Sequence, residues 1–216
     1  MDAVITLGPT QEPIDDVRFI TNASSGRMGA ALVEEGLRRG HRITVVCGPV
    51  YIRLPLKART FRVRTAVEMT DTTLGLLAGK DLLISAAAIA DYTPEKKISG
   101  KIRSGGRLTL RLKPTRKLVR EAREMFPELF IVGFKAEHGA GRKGLVDSAR
   151  KTLEQAKLDL IVANDLARDI VNSDETEAFI VDGKKTERIS RMGKNDAAKM
   201  IWARVESKIN SSPAAP

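Results

Sequence analysis

The chain has one cysteine, Cys47, so no intrachain disulfide can form, which fits a reducing compartment. Its two histidines, His41 and His138, lie far apart and lack the spacing of a zinc site. Only 4% of residues are aromatic, too few to build stacking platforms for single-stranded nucleic acid. No apolar run approaches the roughly 20 residues needed to cross a bilayer. The start, Met1-Asp2-Ala3-Val4, lacks a basic leader and already reads as a strand. A cytoplasmic protein with no membrane segment is therefore expected. Also absent are a G-x-G-x-x-G fingerprint, a Walker A motif, internal repeats and a visible Ser–His–Asp arrangement. These absences set aside the common dinucleotide, P-loop and catalytic-triad chemistries.

What is present suits one globular domain over residues 1–210, with a disordered tail at 211–216. The 216 residues are 42% hydrophobic and 30% charged, ordinary values for a folded domain. The net charge is +10. That balance fits either nucleic acid or phosphorylated small molecules. The scarcity of aromatics favours the second, so no nucleic-acid partner is expected. Cys47 ends the apolar run Ile43-Thr44-Val45-Val46-Cys47 and reads as a packing residue rather than a nucleophile.

Strand and helix patterns alternate along the chain. Strands are expected at 3–7, 43–47, 60–64, 81–88, 129–134 and 158–163. Helices are expected at 29–39, 65–78, 114–126 and 143–157. In the second helix Val67, Met69, Leu74 and Leu77 are assigned roughly to one face. Residues 177–182 and 186–190 flank Gly183-Lys184-Lys185 as a β-hairpin, and a last helix at 194–209 carries the only tryptophan, Trp202. This order predicts an α/β fold, Rossmann-like and doubly wound, with a mainly parallel sheet and a C-terminal hairpin. Its ligand crevice belongs at the carboxyl ends of the strands, where the chain places Gly8, Ala87-Ala88, Gly133-Phe134 and Asn164-Asp165. Residues 91–106, DYTPEKKISGKIRSGG, are too long and polar for an ordinary connection and read as a long mobile flap.

The chemistry centres on Ile5 to Gly29, ITLGPTQEPIDDVRFITNASSGRMG. A strand end leads through a Gly-Pro turn and a loop to a helix, for which Ser24 or Ser25 suits the N-cap. Small residues there leave the first helical N–H groups uncovered, a setting that attracts anions, although an ordinary capped helix reads the same way. Asn22 can cap that helix or donate to a carbonyl oxygen. Asp91 and Asn164-Asp165 follow strand ends, where they can cap a turn or hold a ligand. The flap lysines Lys96, Lys97 and Lys101 can close over a polyphosphate. His41 reads as a surface residue beside a helix end.

These residues together resemble phosphopantothenoylcysteine synthetase, a ligase of coenzyme A biosynthesis that in bacteria and archaea is often the C-terminal half of a bifunctional protein. The motifs are GPTQEPIDDVRFITNASSGRMG, SAAAIADYTP, GKIRSGGRLTLRL, IVGFKAE and LDLIVANDL, then EAFIVDG. They fall in the family's order and cover residues 3 to about 189. The resemblance implies joining of 4′-phosphopantothenate to L-cysteine through an acyl-nucleotidylate, with CTP favoured over ATP and with Mg²⁺. It also implies a homodimer and a possible phosphopantothenoylcysteine decarboxylase domain or subunit as partner. By position, Asn22 matches the asparagine that stabilises the acyl intermediate and Lys101 the flap lysine. Gly8, Ser24, Ser25, Gly26, Gly29, Ser85, Ala86, Phe134 and Asn164 match the nucleotide site, and Ala87, Ala88 and Asp91 the substrate and nucleotide pocket. Arg18 matches an arginine that reaches the neighbouring protomer's phosphopantothenate. The family's dimer contact involves the segment around Ala90-Asp91-Tyr92. Two departures stand out. Thr115-Arg116-Lys117 occupies a segment that often reads Thr-Pro-Asp, and Lys151 and Lys157 are the nearest to a family lysine pair.

Two rivals use other chemistry. A nicotinamide-dependent oxidoreductase needs a ribose-binding acid after the second strand, where this chain has Gly48-Pro49. A basic nucleic-acid-binding module would bind with steep salt dependence.

Overall fold

The computed structural model describes residues 1–167 and 173–211. In chain order, β1 (Asp2–Leu7) is followed by the short strands β2 (Gln11–Pro13) and β3 (Phe19–Thr21), then α1 (Arg27–Arg38), β4 (Arg42–Cys47) and β5 (Arg59–Arg62). Next come α2 (Ala66–Leu76), β6 (Leu82–Ser85), the short strands β7 (Tyr92–Pro94) and β8 (Leu112–Pro114), α3 (Leu118–Met125) and β9 (Phe130–Glu137). The chain continues through α4 (Gly141–Gln155), β10 (Leu160–Asp165), β11 (Glu175–Val181), β12 (Thr186–Gly193) and α5 (Lys194–Ser211). An eight-stranded sheet runs in the order β12-β11-β10-β9-β6-β1-β4-β5. From β10 to β5 every neighbouring pair is parallel, and β11 and β12 add antiparallel strands at one edge.

Helices cover both faces, so the inner strands read as continuous apolar runs. Ala3, Ile5 and Leu7 of β1 pack against α1 and α5, while Val4 faces the layer built from α2, α3 and α4. Gly29 lets α1 lie close on β1: a Cβ there would fall 2.3 Å from Leu7 Cβ. Trp202 is fully buried between α5 and α1, and its Nε1 donates to the Leu32 carbonyl at 2.8 Å.

The strand order places the change of winding direction between β1 and β6, so the crevice opens at their carboxyl ends. The expected doubly wound sheet, C-terminal hairpin and final helix are all present. The differences have local causes. Val67 is 51% exposed while Met69, Leu74 and Leu77 are buried, because residues two apart on a helix do not share a face. The helix expected at 114–126 begins only at Leu118. Pro114 instead ends β8, and Thr115 is held extended by its N–H to the Asp91 carbonyl and its hydroxyl to the Ala90 carbonyl. His41 is not a surface residue. Gly40, at φ +82°, turns it back over α5, with its ring 4.7 Å from that of Trp202 and Nε2 2.9 Å from Glu206 Oε1. Within the segment expected as a flap, β7 pairs antiparallel with β8, so its root is a ribbon and the connecting loop spans 95–111. The expected tail begins inside α5 at Ser211; residues 212–216 lie outside the described residues.

Candidate functional site

Gly8, at φ +80°, turns the chain as it leaves β1. Its carbonyl accepts from Ala88 N–H at 2.9 Å, and Ala86 N–H donates to the Thr6 carbonyl at 3.1 Å. The segments leaving β1 and β6 thus run side by side, with Pro9 bridged to Ala88. The β2–β3 ribbon is inserted between β1 and α1, and it delivers Asn22 to this edge. Asn22 Nδ2 donates to the carbonyls of Ala88 (3.2 Å) and Ile89 (3.3 Å). Of its two readings, the structure takes the carbonyl donor.

Neither Ser24 nor Ser25 caps α1. The N-cap is Gly26 at φ +73°, with no side-chain cap hydrogen bond. Ser24 Oγ instead accepts from Gly26 N–H at 3.4 Å. Glycine is required here for two reasons. The left-handed backbone favours it, and a Cβ would lie 2.8 Å from Val50 Cγ1. The outcome is a helix N-terminus with no side-chain capping hydrogen bond.

That N-terminus opens into a cleft. Ser24, Ser25, Gly26 and Gly29 form one wall, and Ala86, Phe134 and Asn164 the facing edge of the sheet. The deep end comes from Thr176 and Ala178 of β11, Ile189 of β12, and Lys194 and Ala197 of α5. Residue-by-residue reading missed that deep end. The hairpin and last helix were legible, but nothing local ties them to a helix more than 140 positions earlier.

The other expected positions lie elsewhere. Ser85, Ala87 and Asp91 line a second hollow with Thr115, Arg116 and Lys117, and Phe134 borders both spaces. Asp91 is paired with Lys117 at 2.5 Å, so the departing 115–117 segment supplies the partner of a proposed pocket residue. Ala88 offers its carbonyl to Asn22. Asn164 and Asp165 are the last residues of β10 rather than following it; the buried Asp165 accepts from Gly139 N–H at 2.7 Å. Arg18 and Lys101 sit on the ribbon turn and the 95–111 loop, outside the cleft lining. Lys157 ends the turn after α4, at the amino end of β10 and away from the crevice, and Lys151 is exposed on α4.

Burial pushes the Cys47 thiol up, keeping it protonated. At the carboxyl end of β9, the hydroxyl of Ser148 and then Lys135 hold the Glu137 carboxyl below its usual range. Among the described residues no three His, Cys, Asp or Glu side chains are grouped to hold a metal ion. No described helix is long and apolar enough to cross a membrane. The ribose-binding acid of the nicotinamide rival has no room either: a Cβ on Gly48 would fall 1.9 Å from the Pro9 carbonyl oxygen.

Fold and site define the class of doubly wound α/β proteins that take ligands in the crevice at the carboxyl edge of the sheet. Within it, the chain belongs to the family described as the DNA/pantothenate metabolism flavoprotein C-terminal domain, matched over residues 1–209. It is the family to which the sequence motifs pointed. The chain is 37% identical over 212 residues to the coenzyme A biosynthesis bifunctional protein CoaBC of Thermococcus kodakarensis, covering 95% of this chain and 51% of that protein. Against the protein of the same name from Methanocaldococcus jannaschii it is 35% identical over 208 residues, covering 96% and 51%. The chain therefore spans about half the length of the curated relatives it matches. Among solved structures, the DNA/pantothenate metabolism flavoprotein from Streptococcus pneumoniae superposes with a TM-score of 0.86 at 25% identity, covering 96% of this chain and 99% of that one. The C-terminal domain of a CoaBC protein gives 0.83 at 27%, covering 98% and 96%.

Proposed function

We propose that this chain is a phosphopantothenate–cysteine ligase of coenzyme A biosynthesis, acting in the cytoplasm as a homodimer. The carboxylate of 4′-phosphopantothenate attacks the α-phosphorus of a nucleoside triphosphate. A C–O–P linkage forms, the α–β P–O bond breaks, and pyrophosphate leaves. The amine of L-cysteine then attacks the acyl carbon. The C–N bond forms, the acyl C–O bond breaks, the amine loses a proton, and the nucleoside monophosphate leaves. A phosphopantothenoylcysteine decarboxylase domain or subunit would consume the product.

The observation that carries this reading is the uncapped N-terminus of α1, opening into the cleft beside the segment that follows β6. Its N–H groups and dipole favour a phosphate. The reaction asks for positioning and charge stabilisation more than for acid–base groups, and the site offers that. In this reading Ser24, Ser25, Gly26, Gly29, Ala86, Phe134 and Asn164 hold the nucleotide, with Gly8 and Ser85 supporting the turn and strand. Ala87, Ala88 and Asp91 border the substrate. Asn22 exchanges one of its hydrogen bonds to the Ala88 and Ile89 carbonyls for one to the acyl oxygen, and Lys101, on the 95–111 loop, meets the polyphosphate. Mg²⁺ enters with the triphosphate as part of the substrate, through phosphates and water, and no step depends on a protein-held ion.

The test is pyrophosphate release with 4′-phosphopantothenate, L-cysteine and Mg²⁺, comparing CTP with ATP. Release that depends on phosphopantothenate and is faster with CTP is expected. Faster release with ATP would reverse the nucleotide assignment. No release with either would overturn the ligase reading.

A further inference from the structure

Residues 97–102 of the loop between β7 and β8 are fastened to the turn of the β2–β3 ribbon by two neighbouring carboxylates. The Asp15 side chain is fully buried. Its Oδ2 accepts from Ile102 N–H at 3.1 Å and from Arg18 Nη1 at 3.2 Å. Its Oδ1 accepts from the N–H groups of Val17 (2.8 Å) and Arg18 (2.6 Å). Asp16 Oδ2 accepts from Gly100 N–H at 2.6 Å, and its Oδ1 lies 2.5 Å from Lys97 Nζ. The backbone completes the join: Asp16 N–H donates to the Gly100 carbonyl (3.1 Å), Ile98 N–H to the Ile14 carbonyl (2.9 Å), and Arg18 Nη2 to the Ile102 carbonyl (3.1 Å).

Gly100 and Ile102 are the two residues beside Lys101, and Lys101 itself is exposed. The carboxylates thus grip the chain on both sides of one free cation carrier and leave its side chain clear. Burial opposes the charge on Asp15, but the N–H groups of Arg18, Ile102 and Val17 outweigh it and keep the group ionised. A loop pinned at two points has lost much of its conformational freedom before a ligand arrives. Arg18 shares Asp15 with Ile102, so it rides on the same join.

We propose that Asp15 and Asp16 form a latch that sets the backbone around Lys101, making them positioning residues for the cation this chain presents to a polyphosphate. This rests on the ligase reading. The latch also exists as a mechanical fact that needs no substrate, which gives it a separate readout.

The experiment uses Asp16→Ala, Asp16→Asn, Lys101→Gln and the Asp16→Ala/Lys101→Gln double variant of the whole chain. The Asp16 side chain is half exposed, so its loss leaves the core intact. Two quantities are read: trypsin cleavage among Lys96, Lys97, Lys101, Arg103 and Arg107, and kcat and KM for pyrophosphate release. Losing the Asp16 contacts should speed that cleavage about tenfold, with Asp16→Asn between it and wild type, since an amide oxygen still accepts from Gly100. In the wild-type background kcat should fall about tenfold. In the Lys101→Gln background the same change should cost less than about twofold, because the residue it positions is gone. An unchanged trypsin pattern, or an equal loss of kcat in both backgrounds, overturns the latch. Wild-type protein that releases no pyrophosphate but shows the trypsin difference overturns the ligase reading and upholds the latch.

Discussion

Asn22 Nδ2 lies 3.2 Å from the Ala88 carbonyl oxygen, joining the loop that enters α1 to the segment that leaves β6. The two residues are 66 positions apart, and the contact holds the amide at the edge where the sheet reverses direction. Asn22 is exposed, so its replacement disturbs little packing. Asn22→Asp exchanges the donor for a carboxylate facing two carbonyl oxygens, and it also brings a negative charge to a proposed phosphate site. Pyrophosphate release should fall at least about a hundredfold, the scale of losing one donor to a developing oxyanion. Thermal unfolding should shift by no more than about 2 °C. An unaltered rate would remove Asn22 from the mechanism.

The glycines divide by environment, and so should their substitutions. Gly26→Ala strains a left-handed residue and drives a Cβ to within 2.8 Å of Val50. The cost should be about 1–3 kcal/mol, a fall in Tm of roughly 3–9 °C in a domain of this size. Because Gly26 starts α1, the nucleotide KM should also rise, by about tenfold. Gly75 is the control. It lies inside α2 at an ordinary φ with nothing within 4 Å of its Cβ position. Gly75→Ala should stabilise by about 0.5–1 kcal/mol through helix propensity. Calorimetry on the two variants checks both signs.

Periodicity was enough to read the parallel strands and their helices, because strands buried on both faces advertise themselves as apolar runs. The β1–α1 junction was legible too, through its small residues. What local pattern could not supply were features made by distant contacts. Pro114–Lys117 looked like a helix start but is held extended by Ala90 and Asp91. His41 looked solvated but is covered by Trp202 and Glu206. The deep wall of the cleft comes from β11, β12 and α5, whose residues carry no motif of their own. Asp15 and Asp16 lie within GPTQEPIDDVRFITNASSGRMG, yet the loop they hold is more than 80 residues away.

Acid should loosen the packing of α1 on α5. Glu35 is buried, and its carboxyl is held down to about 2, first by the Arg38 guanidinium and, against burial, by Arg39. Arg39 in turn reaches Glu206 of α5 at 2.6 Å. A folded-state value below the unfolded one gives stability that is complete above about 4.5. It is lost as pH falls toward 2, since the unfolded chain then takes up the proton first. The contribution is on the order of 2 kcal/mol. Glu35→Gln should therefore lower stability at pH 7 and flatten its fall between pH 5 and 2, read by urea unfolding across that range. A parallel fall in wild type and variant would remove Glu35 as a source of the acid sensitivity.

The proposed homodimer has a surface to use. Val17 and Phe19 on the β2–β3 ribbon and Tyr92 and Leu112 on the β7–β8 ribbon are exposed large hydrophobics, and the two ribbons lie against each other through β2 and β7. Exposed aromatic side chains are the usual anchors of an interface. The Phe19→Asp/Tyr92→Asp double variant should sediment as a monomer at micromolar concentration where wild type is a dimer, with its far-ultraviolet circular dichroism unchanged. Arg18→Ala acts on the same arm differently. Arg18 lies on the ribbon turn and is engaged by Asp15 and the Ile102 carbonyl. It should raise the KM for 4′-phosphopantothenate about tenfold or more, the scale of a charge-assisted contact to phosphate, while the dimer persists. A wild-type monomer at tens of micromolar would sink the dimer. An unchanged KM in Arg18→Ala would detach Arg18 from the neighbouring protomer's phosphopantothenate and leave it as part of the latch alone.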